Sequence, residues 1–118
     1  MIYIDRSKTT VQVFVPVNGD ADLGTGASIV AKAQQETDIV FEVTSPRLLP
    51  LDGSALVLEG KVTVPKGIAL GEYDYEMTMG PADAKAVCSR GLLVVVEDGE
   101  PIDVKEYNET LTYKEYEG

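Results

Sequence analysis

Between Gly71 and Met79 the chain alternates strictly: Tyr73, Tyr75, Met77 and Met79 share one parity, and Glu72, Asp74, Glu76 and Thr78 share the other. A period of two is the mark of a strand with one buried face and one wet face. The run Leu92-Leu93-Val94-Val95-Val96 is apolar on both parities, as in a central strand covered on both sides. Together they predict the heart of a β-domain, with Tyr73, Tyr75, Met77 and Met79 packed against Phe41, Leu58 and Leu92.

The rest of the chain reads the same way. Strands are predicted at Ile2–Ile4, at Val11–Val15 stopping at Pro16, and at Ser28–Ala33. Others are predicted at Thr37–Thr44 ending at Ser45-Pro46, and from Leu56 to Val64. Turn residues separate them: Arg6-Ser7-Lys8-Thr9, the Gly/Asx-rich stretch 18–26, Pro65-Lys66-Gly67, Gly80-Pro81-Ala82-Asp83 and Asp98-Gly99. The last segment, Tyr107–Tyr116, sets Tyr107, Leu111 and Tyr113 against Asn108, Thr110, Thr112 and Lys114, and is read as a terminal strand. No segment carries apolar residues at helical spacing over three turns. The expectation is an all-β, immunoglobulin-like antiparallel sandwich of about seven to nine strands. Residues 1–118 form one such domain, with 101–118 a terminal strand or tail available for assembly.

With a net charge of −10, nucleic acid and anionic membranes are disfavoured as partners. The excess is uneven: from Glu97 to Gly118 eight acids face two bases, whereas the preceding residues hold twelve acids and eight bases. This tail is a solvated surface or a face for a basic partner. The absence of His removes the commonest general base and metal ligand. The absence of Trp weakens a sugar-stacking reading. Cys88 stands alone, so no intrachain disulfide and no Cys-rich metal site can form. It reads as a buried structural thiol; a thiol activated by Arg90 would lack a His partner. The residues after Met1 are too few and too polar for a signal peptide, and no apolar run approaches a membrane span. The expected setting is soluble and reducing.

Few residues suggest chemistry. Asn18, Asp20 and Asp22 are spaced like the first ligands of a Ca²⁺ loop. The pattern then fails, because Leu23 stands where Gly is needed and Ile29 where the bidentate Glu is needed. A plain turn accounts for them better. Glu72, Asp74 and Glu76 could supply paired carboxylates, but a flat strand face has no cleft to separate their pKa values. Gly24-Thr25-Gly26 lacks the third Gly and the Lys of a phosphate loop. No catalytic, cofactor or metal residue is assigned. Tyr107, Thr110, Thr112, Tyr113 and Tyr116 are the candidate protein interface, because a terminal strand can complete its own sheet or pair with a neighbouring subunit's edge.

Three stretches carry a resemblance. They are Pro65–Met77 with its Gly71-Glu72-Tyr73-Asp74-Tyr75 strand, Arg90–Val96, and the closing Tyr113-Lys114-Glu115-Tyr116. Their arrangement resembles small β-sandwich structural proteins of tailed phages and prophages of gut Bacteroidetes, over roughly the C-terminal half. The resemblance implies a non-enzymatic virion protein: a head-fibre, capsid decoration or adaptor protein, or a tail or baseplate component. Such a protein would be made in the host cytoplasm and end in the virion. It would bind other virion proteins and itself, as a dimer or trimer. With neither heptads nor a stalk before Gly118, a standalone adaptor or capsid-surface protein is the favoured form. A carbohydrate- or Ca²⁺-binding sandwich module is the alternative.

Overall fold

Among the described residues hydrophobic alternation becomes seven strands: β1 (Ile2–Asp5), β2 (Thr10–Val17), β3 (Ala27–Lys32), β4 (Ile39–Pro50), β5 (Leu56–Thr63), β6 (Gly71–Met79) and β7 (Ala86–Val96). One helix, α1 (Val104–Glu117), follows. The computed structural model describes residues 1–17, 26–32, 38–50, 56–80, 86–97 and 104–117, apart from the side chains of 106, 107 and 113–117.

All seven strands join in one sheet, in the order β1-β7-β6-β3-β4-β5-β2. β1 runs parallel to β7, and the other pairings are antiparallel. The chain ties the two ends of this order together. β1 and β2 are terminal strands, yet only residues 6–9 separate them. Six inter-strand gaps of about 4.8 Å would hold them about 29 Å apart in a flat sheet. The five Cα steps from Asp5 to Thr10 reach roughly 18 Å at most. The sheet must therefore curl until its edges approach.

β4 supplies part of the curl. Its first half, Ile39–Val43, pairs with β3, and its second half, Val43–Pro50, pairs with β5. The register shifts between Thr44 and Arg47, and Ser45 takes a positive φ of 50°. Ser45-Pro46 thus does not end the strand, as its sequence suggests. Pro46 has no N–H to donate, so the ladder must break there, and the chain uses the break as a bulge that turns a corner. Pro16 likewise fails to stop β2, which runs on to Val17. It is tolerated because β2 is an edge.

The curl gives one contiguous core containing residues of every strand. Tyr75, Met77 and Met79 point into it with Phe41 and Leu58, and Tyr73 packs at its margin, as the alternation predicts. Leu92 does not join them. In the β6–β7 register it is Leu93 and Val95 that face inward, while Leu92 and Val94 are half-buried on the outer face. A run apolar on both parities leaves that choice to the pairing. Phe14 and Val57 are buried but belong to the opposite parity, outside this core.

The terminal segment is the largest departure from the sequence reading. Tyr107–Tyr116 lies within a helix, not a strand. Asn108 and Thr112 are buried, and Val104 and Leu111 half-buried. The spacing i, i+4, i+7, i+8 is helical. Thr and Tyr favour strands locally, but docking against the sheet overrides that weak preference.

Candidate functional site at the helix-closed seam

The two free edges of the curled sheet meet across a seam, and α1 fills it. Backbone N–H and C=O groups of one strand residue point to the same side. In β2 the odd residues face β5, as the bond from Val64 N–H to Thr9 O continues (2.9 Å). Gln12, Phe14 and Pro16 therefore turn their backbone groups to the seam. In β1, Tyr3 does the same from the other side.

Asn108 reaches both edges. Its Oδ1 accepts from Tyr3 N–H at 2.8 Å, and its Nδ2 donates to Tyr3 O at 3.0 Å and to Gln12 O at 3.2 Å. One turn later, Thr112 Oγ1 donates to Phe14 O at 2.6 Å. Both side chains have 0% exposure. A buried polar group is tolerated only when bonded, and here each bond also satisfies an edge carbonyl or amide. Val104 packs against the core at the start of the helix.

The turn joining β1 to β2 is pinned at the same corner. Buried Asp5 accepts from Ser7 N–H (2.9 Å) and Ser7 Oγ (2.7 Å) through Oδ1, while its carbonyl accepts from Lys8 N–H (3.1 Å). Arg6 donates its N–H to Val96 O (2.9 Å), and its guanidinium to Ile68 O (3.2 Å) and Glu97 (3.1 Å).

Of the residues picked out as an interface, Thr112 is consumed internally and Thr110 is exposed. The side chains of Tyr107, Tyr113 and Tyr116 lie outside the described residues. Asn108, which carries the seam, is missing from that set. A signal for it exists in the sequence: Asp103-Val104-Lys105-Glu106 has the form of a capping box that opens a helix.

The outer face of β7-β6-β3-β4 is the second surface of interest. Across it run the rows Arg90–Glu76–Val30–Val40 and Val87–Thr78–Ser28–Glu42. Glu72, Asp74 and Glu76 lie on this face as the alternation predicts. Arg90 pairs with Glu76 at 3.4 Å, Lys32 with Asp38 at 3.2 Å, and Ser28 bonds Glu42 at 2.8 Å. Glu72 and Asp74 have no ion pair among the described residues.

Cys88 is half-buried at the bulge where Met77 opposes Ser89 and Thr78 opposes Val87. Burial pushes its thiol above the ordinary value, and a backbone hydrogen bond offsets part of that. This is the reverse of the lowering that an activated nucleophile needs. Asn18, Asp20 and Asp22 lie outside the described residues, among which no cluster of three or more His, Cys, Asp or Glu could hold a metal. No helix described is long and apolar enough to cross a membrane.

No protein-family model, curated protein sequence or solved structure matches this chain.

Proposed function

We propose that this protein is a non-enzymatic structural component that works through protein–protein contacts. The outer face of β7-β6-β3-β4 supports this best. Val40 and Val87 stay 54% and 40% exposed there, set among Glu42, Glu72, Asp74 and Glu76. Apolar side chains within a charged surround are the composition of a contact patch with a polar rim. The likeness of the Gly71–Tyr75 strand and its companions to phage structural proteins makes a virion component the specific form, as head-fibre, decoration, adaptor or tail accessory.

The finer fold belongs to the same proposal. With β4 shared at its bulge, β1-β7-β6-β3 and β5-β2 can form the two layers of an immunoglobulin-like sandwich. The short β1–β2 connection and the common core support that arrangement.

Light scattering of the full chain tests the function. A dimer or trimer that Val40→Glu dissociates is the expected result. A strict monomer that fails to bind purified capsids overturns it. A rise in melting temperature with Ca²⁺ or glycans would instead favour a ligand-binding module, by linkage.

A further inference from the structure

Asn108 imitates a strand. A ladder partner offers one acceptor and one donor to the residue opposite, and the Asn108 amide does that for Tyr3, accepting from its N–H and donating to its C=O. On the other side the imitation is incomplete. The described side chains of α1 meet the carbonyls of Gln12 and Phe14. The N–H groups of Gln12 and Phe14, turned to the same edge, have no acceptor among the described residues. Among the described residues the Gln12–Phe14 stretch of the β2 edge is thus half satisfied by a helix, where an added strand would also accept from its N–H groups.

The segment that plugs the seam has the pattern of the strand that would replace it. Tyr107, Leu111 and Tyr113 share one parity with Glu109 and Glu115, and Asn108, Thr110, Thr112 and Lys114 share the other with Tyr116. Tyr and Thr are among the residues that suit a pleated, half-buried surface. Val11 and Val13, buried on the inner face of β2, offer a row against which Tyr107, Leu111 and Tyr113 of a new strand can pack. Acceptor and donor sit on the same chain, so every copy carries both.

We propose that the β2 edge is a strand-acceptor site plugged by α1, and that its occupant is the 107–116 segment of a second copy, released from its own seam and extended. Main-chain bonds give such a pairing its affinity, and alternate side chains give it register. Pro16, on the same edge, limits the pairing to the Thr10–Phe14 stretch. The site rests on the proposed assembly role and adds to it a second contact, separate from the outer face that Val40→Glu probes.

The test uses the full chain, followed by light scattering and far-UV circular dichroism over a concentration series. Asn108→Ala weakens the plug, so the concentration at which assembly is half complete should fall about thirtyfold or more, with loss of helix signal and gain of strand signal as mass rises. Adding Gln12→Pro removes an N–H from the acceptor edge and should return assembly to the wild-type range. Adding Gln12→Ala, which keeps the N–H and loses the same side chain, should not. If Asn108→Ala gives no cooperative melt, Thr112→Val, which removes only a hydroxyl, is read in its place. Assembly with the helix signal intact, or unchanged by Gln12→Pro, overturns the acceptor site and leaves contact through the outer face standing. Monomers throughout overturn the acceptor site and leave the outer face to the capsid-binding test.

Discussion

Gly60 lies on the inner face of β5, opposite Val13, beside the β4 bulge. A Cβ built there falls well inside contact distance of Val43 Cγ1. Its next neighbours, Thr44 O at 3.4 Å and Pro46 Cα at 3.5 Å, are at ordinary contact distances. Val43 is therefore the single obstacle. Gly60→Ala alone should gain about 0.5–1 kcal/mol from reduced backbone freedom and lose about 1–3 kcal/mol to overpacking. With the new Cβ so close to Val43 the overpacking cost sits at the upper end, about 2–3 kcal/mol, and the net is a destabilisation of about 1–2.5 kcal/mol. Val43→Ala removes two buried methyl groups and should cost about 2 kcal/mol including the void. In the double variant the new methyl at position 60 occupies space that Val43 vacates. The cycle should then show a favourable coupling of about 1–2 kcal/mol, well outside the 0.3–0.5 kcal/mol scatter of independent sites. Urea unfolding of the four proteins, followed by circular dichroism with a common m-value, measures it. Additive costs, or a Gly60→Ala protein as stable as the parent, would refute the close packing of β4 against β5 at the bulge.

Further outcomes follow from other positions. At protein concentrations low enough to prevent assembly, Asn108→Ala should cost about 2–4 kcal/mol, because three backbone groups lose a buried partner, and Thr112→Val about 1 kcal/mol. Chemical denaturation of both gives the ranking, and equal costs would contradict it. Ser45 holds a left-handed φ of 50° without being glycine. Ser45→Gly should therefore be neutral or stabilising by up to about 1 kcal/mol, and Ser45→Val destabilising by about 1–2 kcal/mol. Cys88 should react with a thiol reagent at neutral pH more slowly than the same residue in urea. Because its folded pKa is raised, its contribution to stability is fully present below the free-thiol pKa of about 8.5 and is lost as pH climbs through the folded value. Cys88→Ser should remove that alkaline part of the stability profile.

Much of the sheet is legible in the chain. Alternation at 71–79, 39–43 and 56–64 identifies strands and their inward residues, because a period of two survives any choice of partners. Ambiguity begins where alternation stops. Leu92–Val96 offers two apolar faces, and the β6 register selects Leu93 and Val95. Pro16 and Pro46 read as stops, yet one sits on an edge and the other in a bulge, where a missing N–H costs no ladder bond. Residues 107–116 are the deepest case. They satisfy a strand pattern along the chain and a helical pattern in space, since Asn108 and Thr112 share a face in both.

The interface expected at Tyr107, Thr110, Thr112, Tyr113 and Tyr116 shows the same limit. Thr112 turned inward because Phe14 presented a carbonyl at the seam, nearly a hundred residues earlier in the chain. No local signal carries that information. A period of two, the placement of Gly and Pro, and the acidic balance are properties of the chain itself, and they determined a β-rich domain and most of its core. The curl, the meeting of β1 with β2, and the helix between them depend on backbone groups left unpaired only once the sheet exists. The capping box at Asp103–Glu106 permits a helix and the Tyr and Thr that follow permit a strand; those unpaired groups decide between them, and they exist only in the tertiary structure.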